Sequence, residues 1–380
     1  MALFPGDDLN DDSTPGLRPR RSTGSAGDRR RGRGLIFLFA ALLLGVVLGS
    51  IPAPYVIEKP GPVFNTLGEE THDGEPVPLI TIPDHKTYPT AGALYLLTVS
   101  AVGQPGNLPN WFEVARAWVD PSEAVLPVDQ VYAPDQTVDE RNQVNQEMMV
   151  NSQQEAIAAA FTNLDIAYTA TLSVQQVMAD SPATGILNAK DVIVSVNGTA
   201  VSDITALRQA INDNGTTKAA KLGITRDGKP HTVEVTPVEN QGSVILGVTV
   251  STTFEFPFDV KIELDNVGGP SAGMMFSLGI IDKLTPGELN GGTEVAGTGT
   301  IDAAGNVGPI GGIRQKMYGA KDAGAAWFLA PAKNCSEVVG NIPGDLEVFA
   351  VATLDDSLHV LEGIRGGTDL DSLARCTTGG

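Results

Sequence analysis

The sequence predicts an α+β multidomain protein with a single N-terminal transmembrane helix, a β-rich domain in the middle and an α/β domain towards the C-terminal end. Three observations carry this prediction. An apolar run follows an arginine cluster near residue 35, a turn-rich unit covers residues 166–240, and a strand, a glycine-rich turn and an apolar helix follow one another around residue 271. A chain of 380 residues has room for two or three such domains.

The composition is that of a globular protein with an acidic surface. Hydrophobic residues make up 42% of the chain, and 45 Asp and Glu against 25 Lys and Arg give a net charge of −20. A surface of this sign repels phosphate groups, so we expect no nucleic acid among the partners. The four His residues are scattered without the spacing of metal ligands, and we predict no cofactor.

The N-terminal segment predicts a membrane anchor. Residues 1–34 are polar and rich in Gly, Ser, Asp and Arg, which predicts a disordered cytoplasmic tail. Arginines at its end precede the apolar run 35–51, and we expect an uncleaved anchor over 35–57. A secretory signal is the rival interpretation, but no good small-residue cleavage site follows. The arginines predict a single-pass protein of the cell membrane, with a cytoplasmic N-terminus and residues 58–380 outside.

Residues 58–165 predict a platform between the anchor and the domains that follow. Strand-like pieces come first, and two capping boxes then predict helices over 138–150 and 153–163. The capping residues, each with an acidic residue three positions later, are Thr137 with Glu140 and Ser152 with Glu155. No residue in this segment points to chemistry.

Residues 166–240 predict a compact β-rich unit. Asn-Gly at 197–198 and Asp-Gly at 227–228 are typical of two-residue hairpin turns. Between them, the pattern predicts a helix over 201–211 and a strand over 219–225.

The turn Gly-Gly-Pro-Ser-Ala-Gly at 268–273 is the first stretch that points to chemistry. It follows a strand-like run at 258–264 and precedes an apolar, helix-like run at 274–281. A hydroxyl at a helix start, here Ser271, has free backbone N–H groups and the positive end of the helix dipole beside it. That environment suits a nucleophile with an oxyanion site. The alternative is that Ser271 only caps the helix.

A second stretch, Gly-Pro-Ile-Gly-Gly at 308–312, predicts a turn followed by a helix over 313–322. On this helix Lys316 shares the apolar face with Ile313 and Met317. Burial lowers the pKa of a lysine and lets its neutral amine act as general base for a serine. The alternative is a lysine that keeps its ammonium group in water.

Together, the two stretches resemble the Lon-type serine–lysine proteases. The resemblance rests on Pro-Ser-Ala-Gly at 270–273 and on Pro-Ile-Gly-Gly at 309–312 with Lys316, which comes 45 residues after Ser271. It implies a Lon protease-type α/β domain over 241–376, in which Ser271 and Lys316 are the catalytic dyad of a serine endopeptidase.

The resemblance leaves one supporting residue open. In some members of the family a hydroxyl orients the lysine, and that position aligns with Ala296 in this chain. Thr298 and Thr300 are near, so the orienting group stays unassigned.

The middle unit, with Ser-Pro-Ala at 181–183 and Asp-Val-Ile at 191–193, resembles a bacterial PDZ domain, a module that binds peptides by strand addition. The order of anchor, platform, PDZ-like domain and protease domain is similar to that of the membrane-anchored PDZ–Lon peptidases. This implies peptide or protein substrates that the PDZ-like domain presents or gates, and it allows a homo-oligomer. No P-loop motif is present, so we expect activity without ATP.

Two interpretations from other classes stay open. Gly-x-Ser-x-Gly at 269–273 fits the nucleophile elbow of α/β-hydrolases, with Asp302 or Asp355 and His359 in the chain order of a Ser-His-Asp triad. The second alternative is a non-catalytic PDZ adaptor with a degenerate protease domain, against which the retained serine and lysine argue.

Cys335 and Cys376 are the two cysteines of the chain. An even count in an extracytoplasmic domain predicts one disulfide, and two free buried thiols are the alternative.

Overall fold

The structure is a computed structural model that describes residues 26–72, 74–133, 137–201, 203–240, 242–264 and 267–377. Within these ranges the α-helices are α1 Ala26–Ser50, α2 Trp111–Ala117, α3 Val128–Val131, α4 Val138–Asn163, α5 Ile204–Asn214, α6 Gly273–Leu284, α7 Ile313–Asp322, α8 Cys335–Val338 and α9 Leu354–Gly366. The strands are β1 Tyr55–Asn65, β2 Glu69–His72, β3 Glu75–Pro78, β4 Ile80–Thr81, β5 Ala93–Val102, β6 Ala124–Pro127, β7 Thr169–Val177, β8 Val192–Val196, β9 Thr199–Ala200, β10 Ala220–Arg226, β11 Lys229–Val235, β12 Val238–Asn240, β13 Ser243–Ile245, β14 Val248–Glu255, β15 Lys261–Ile262, β16 Glu294–Gly297, β17 Thr300–Ile301, β18 Val307–Gly308, β19 Trp327–Pro331 and β20 Glu347–Val351.

Helix α1 carries the apolar run of the N-terminal segment, and its large side chains from Leu35 to Val47 are exposed. A disordered tail is predicted over residues 1–34. Residues 1–25 lie outside the described residues, and α1 begins at Ala26, within the predicted tail.

No helix in the described ranges is both long and apolar enough to cross a membrane. The transmembrane helix predicted over residues 35–57 is therefore not supported. The helix ends at Ser50, and after two prolines, which cannot continue a helix, Tyr55 already begins β1.

A six-stranded mixed sheet with the order β20-β19-β16-β5-β1-β6 forms the centre of the larger domain. The first four strands pair in parallel, while β1 is antiparallel to both β5 and β6. Three strands precede the predicted PDZ-like unit in sequence and three follow it. The domain boundaries predicted from the sequence stay predictions, but this sheet takes strands from both the predicted platform and the predicted protease segment.

The two faces of this sheet are covered by different helices. On β5, Leu96 packs into a core with α4, α6 and α9, whereas the next residue, Leu97, packs into a core with α7. Successive strand residues point to opposite faces, so both faces are apolar and both need a helical cover.

The middle unit is a second, antiparallel sheet with the order β11-β10-β8-β7-β14, and its core includes Leu207 and Ile211 of α5. Both predicted hairpin turns are present: each has two residues with positive φ, 51° and 86° at 197–198 and 50° and 73° at 227–228. This is the backbone that Asn-Gly and Asp-Gly favour. The mixed α/β, multidomain organisation predicted from the sequence is confirmed.

The predicted disulfide is present between Cys335 and Cys376, which are 41 residues apart in sequence. It joins α8 to the C-terminal segment, and Cys376 packs against the core beneath α7.

Candidate active site

The turn before α6 presents Ser271. The helix begins at Gly273 and its N-cap is Ala272, so Ser271 lies one residue before the cap and does not cap the helix. At Gly273 an added Cβ would lie 2.9 Å from Ser152 Oγ and 3.0 Å from a methyl of Ile301. A larger residue would have to displace these two side chains, because α4 and β17 both approach the backbone closely.

Helix α7 brings Lys316 to Ser271. The helix begins after Gly312, which has a φ of +69° and whose added Cβ would lie 2.7 Å from Val99. This close approach requires glycine and places the first turn of α7 against β5. Lys316 Nζ then lies 2.6 Å from Ser271 Oγ, and the lysine is 2% exposed.

The environment of Lys316 favours the neutral amine. Burial removes the ammonium group from water and lowers the pKa of Lys316 to about 7. A substantial fraction of the side chain is therefore unprotonated near neutral pH and can accept the proton of Ser271.

Thr298 contacts both Lys316 and the backbone of Ser271, a position that the sequence alone does not assign. It directly follows β16 and is 1% exposed. Lys316 Nζ donates to Thr298 Oγ at 3.0 Å, and Thr298 Oγ donates to the Ser271 carbonyl at 2.9 Å. One hydroxyl thus fixes both the Lys316 amine and the backbone of Ser271, while Ala296 contributes to the core beneath α7.

A cavity of about 610 Å³ opens beside the serine and the lysine. Its walls come from β1, β5, α4 and the turn before α6, and they include Phe64, Val99 and Met149. The platform segment, in which the sequence indicated no chemistry, therefore supplies much of the lining. Nothing in the local pattern of these strands could reveal this, because the contacts join residues more than 100 positions apart.

The groups of the alternative triad are not assembled around Ser271. His359 is exposed on α9. Asp302 accepts from Asn306, and Asp355 accepts from Asn163. Within the described part of the chain, none of the three has a contact with Ser271, and no group of three or more His, Cys, Asp or Glu could hold a metal ion.

Comparison with known proteins identifies the domain that holds this site. A family model for the C-terminal proteolytic domain of Lon protease (S16) matches residues 265–362, the segment that contains both Ser271 and Lys316. The chain contains a Lon-type proteolytic domain. This match, together with the Lon relatives, supports a serine peptidase.

The Lon relatives match only this part of the chain. Lon protease 2 of Herpetosiphon aurantiacus is 38% identical over 109 residues, which cover 27% of this chain and 13% of that protein. The Lon protease of Campylobacter concisus is 37% identical over 94 residues, which cover 24% of this chain and 11% of that protein. The chain thus spans 11 to 13% of the length of these curated relatives.

A second family model, for a PDZ domain, matches residues 137–236. The matched range includes α4, which in the structure packs against α6 of the Lon-type domain. Among solved structures, the PDZ domain of an SdrC-like protein from Listeria monocytogenes has a TM-score of 0.20 at 21% identity and covers 21% of this chain and 85% of that one. The PDZ assignment rests on the family model.

Proposed function

We propose that this protein is an ATP-independent serine endopeptidase that hydrolyses peptide bonds with a Ser271–Lys316 dyad. The observation that carries the proposal is the 2.6 Å contact between Lys316 Nζ and Ser271 Oγ, in a site where the lysine is buried. A buried amine beside a hydroxyl is the arrangement that a lysine general base needs.

In the proposed mechanism, Ser271 Oγ attacks the scissile carbonyl carbon as its proton passes to Lys316 Nζ. The tetrahedral intermediate then expels the amine, which takes that proton, and an ester remains on Ser271. Water attacks the ester, and Lys316 again accepts and returns a proton. Among the described residues, the backbone N–H groups of Ser271 and Ala272 have no acceptor, so they are available to bind the oxyanion.

The test is cleavage of fluorescently labelled casein, an unstructured substrate, by purified variants. Ser271→Ala and Lys316→Ala should lose turnover. Lys316→Arg should be inactive as well, because its guanidinium group stays protonated and cannot accept the serine proton. Lys321→Ala is the matched control, since Lys321 is only partly buried on the same helix and pairs with Asp345. Substantial cleavage by Lys316→Ala would contradict the dyad.

The same assay separates the alternative functions. A Ser-His-Asp hydrolase would lose activity in His359→Ala and keep it in Lys316→Ala. A PDZ adaptor would show no cleavage, and an active-site fluorophosphonate probe would not label Ser271.

We also propose that the PDZ domain presents or gates protein substrates. A groove of about 310 Å³ lies between α5 and β14, with Leu207 and Ile211 on the helix side and Val248 and Val250 on the strand side. β14 pairs with β7 on one edge, which supports strand addition of a peptide along the other. Binding of substrate-derived peptides should be lost when Ile204, a partly buried residue that lines the groove, is replaced by Glu, while thermal melting checks that the domain stays folded.

We further propose that the catalytic domain acts outside the cytoplasm and that the N-terminal segment holds it at the cell membrane. The arginine cluster before the apolar run, the exposed apolar side chains of α1 and the disulfide support this location. Protease added to intact cells stripped of their wall should digest residues 58–380, and protection until lysis would contradict the proposal. A homo-oligomer stays a prediction that light scattering of the purified protein tests.

A further inference from the structure

Helix α4 contacts the backbone of the nucleophile turn directly. Ser152, on this helix, is 5% exposed, and its hydroxyl donates to the Pro270 carbonyl at 3.0 Å. About two turns earlier on the same helix, the Asn145 carbonyl accepts from the Gly269 N–H at 2.8 Å. The helix precedes the family match of the Lon-type domain by about a hundred residues, yet it holds the two residues before Ser271.

The contact with Pro270 has a geometric consequence for Ser271. A peptide unit is planar, and in its trans form the C=O and the following N–H point in opposite directions. The Pro270 carbonyl and the Ser271 N–H belong to one such unit. A hydroxyl that holds the carbonyl towards α4 therefore aims the Ser271 N–H away from α4.

The neighbouring peptide unit is fixed in the same way. The Ser271 carbonyl accepts from Thr298 Oγ and from the Gly299 N–H, both at 2.9 Å, and this orients the Ala272 N–H. The Pro270 carbonyl has one close partner, Ser152, and a long contact of 3.5 Å from the Gly273 N–H. Accepting a hydrogen bond also polarises a peptide unit and strengthens its N–H as a donor.

We propose that Ser152 is a positioning residue for the oxyanion site: through the Pro270 carbonyl, it orients the Ser271 N–H that stabilises the tetrahedral intermediate. This inference rests on the proposed serine endopeptidase function. It assigns part of the catalytic apparatus to α4, the helix that leads directly into the PDZ domain.

The molecule offers a matched control in Ser277. This residue lies on α6, is fully buried, and donates to the Ala156 carbonyl of α4 at 2.9 Å. Ser277 therefore makes a buried hydroxyl contact between α4 and α6. It also donates to the carbonyl of Gly273, the last residue of the turn, at 3.2 Å, but it has no hydrogen bond with Pro270 or Ser271.

The experiment compares Ser152→Ala, Ser152→Cys and Ser277→Ala with wild type. Turnover of labelled casein is expressed per active site, with sites counted by fluorophosphonate labelling, and folding is checked by thermal melting. Ser152→Ala should lower kcat about five- to tenfold at unchanged KM, the factor expected for one net hydrogen bond. The kcat of Ser152→Cys, which keeps a weak donor of similar size, should lie between those of wild type and Ser152→Ala. The kcat of Ser277→Ala should stay within about twofold of wild type.

A second measurement separates positioning from a general loss of structure. A peptide aldehyde forms an adduct with Ser271 that carries the oxyanion, so its affinity for Ser152→Ala should fall by the same factor as kcat. If Ser152→Ala melts before assay, Ser152→Cys carries the comparison.

The outcomes distinguish this inference from the function beneath it. A wild-type protein that neither cleaves casein nor labels at Ser271 would overturn both. An active wild type whose Ser152→Ala variant keeps kcat within twofold, or whose Ser277→Ala variant loses as much, would overturn the role of Ser152 alone.

Discussion

Lys316 is a buried ionisable group in the proposed site, and its burial costs free energy. A lysine that is 2% exposed is unfavourable in its charged form, and it is retained beside Ser271 and Thr298 with both hydroxyls in contact. The unfolded chain holds the proton with an ordinary pKa of about 10.4, whereas burial lowers the folded value to about 7. The unfolded state therefore binds more protons between these values, and the free energy of unfolding should rise with pH across that window.

This predicts that Lys316→Met stabilises the protein near neutral pH. A shift from about 10.4 to about 7 corresponds to roughly 4–5 kcal/mol, from which the two lost hydrogen bonds subtract about 1 kcal/mol each. We expect the free energy of unfolding of the variant to exceed that of wild type by about 1–3 kcal/mol at pH 7, measured by urea unfolding. This difference should shrink towards pH 10. A variant less stable at pH 7, or a difference independent of pH, would show that the lysine is not desolvated.

Thr298→Val should slow catalysis while keeping the shape of the site. The valine removes one hydroxyl that accepts from Lys316 and donates to the Ser271 carbonyl. We expect kcat to fall at least tenfold, because the site loses both contacts at once, and the free energy of unfolding to fall by about 1 kcal/mol for each lost hydrogen bond. Thr300→Val is the control, since Thr300 lies on β17 and has no described contact with the dyad. Equal turnover by wild type and Thr298→Val would remove Thr298 from the proposed mechanism.

The helices show which elements local sequence can predict. The helix predicted over 313–322 is observed as α7 with the same ends, because the two glycines before it and its apolar face are local signals. The helix predicted over 201–211 is observed three residues later, as α5, because Asp203 caps it by accepting from the Ala206 N–H.

The two helices predicted over 138–150 and 153–163 are wrong as separate elements, since α4 is continuous from Val138 to Asn163. The capping-box pattern predicts Ser152 as an N-cap, but its hydroxyl donates to the Pro270 carbonyl instead. The partner lies 118 residues away, so the pattern around Ser152 could not reveal it. The contacts of Thr298 cannot be predicted from its local pattern either. The two motifs predict that Ser271 and Lys316 meet, and the structure places them 2.6 Å apart, whereas Ser152 and Thr298 come to the site from other segments.

The disulfide between Cys335 and Cys376 should stabilise the C-terminal part of the Lon-type domain. Closing a loop with a sequence separation of 41 contributes about 4 kcal/mol in the chain-entropy model. The free energy of unfolding of the Cys335→Ser/Cys376→Ser double variant, measured with urea, should be lower than that of wild type by up to this amount. Reduction should lower the free energy of unfolding of wild type by the same amount and leave that of the double variant unchanged. Alkylation of both thiols in native protein prepared without reductant would contradict the bond.

In the whole molecule, the middle antiparallel sheet is inserted between the strands of the six-stranded sheet. The six-stranded sheet takes β1, β5 and β6 from before it and β16, β19 and β20 from after it. The chain enters and leaves the middle antiparallel sheet at Thr169 and Glu255, which are paired across β7 and β14. Paired strand residues lie only about 5 Å apart, so a short linker can replace everything between them.

Replacing residues 169–255 with a short Gly-Ser linker should therefore leave the proteolytic domain folded. The junction aromatics Tyr168 and Phe256, which pack on each other, are retained. We expect cleavage of a short unstructured peptide to stay within about threefold of wild type, while processing of folded protein substrates falls at least tenfold. Equal loss on both substrates, with an unchanged melting temperature, would make the PDZ domain part of the catalytic unit.

Glu155 defines a control needed for any pH study of this enzyme. It lies on α4, and burial raises its pKa to about 7, close to the value for Lys316. A titration near neutral pH could therefore come from either group. Glu155→Gln removes the carboxyl titration and should leave the inflection due to Lys316 in place.

The most direct test of the Ser271–Lys316 dyad is the pH dependence of casein cleavage per active site, in a Glu155→Gln background. With the Lys316 pKa at about 7, the unprotonated fraction, and with it the rate, should rise about tenfold between pH 6 and pH 8 and then level off. Lys316→Ala in the same background should show no turnover across this range. A rate that does not change between pH 6 and pH 8, or that survives in Lys316→Ala, would contradict the account.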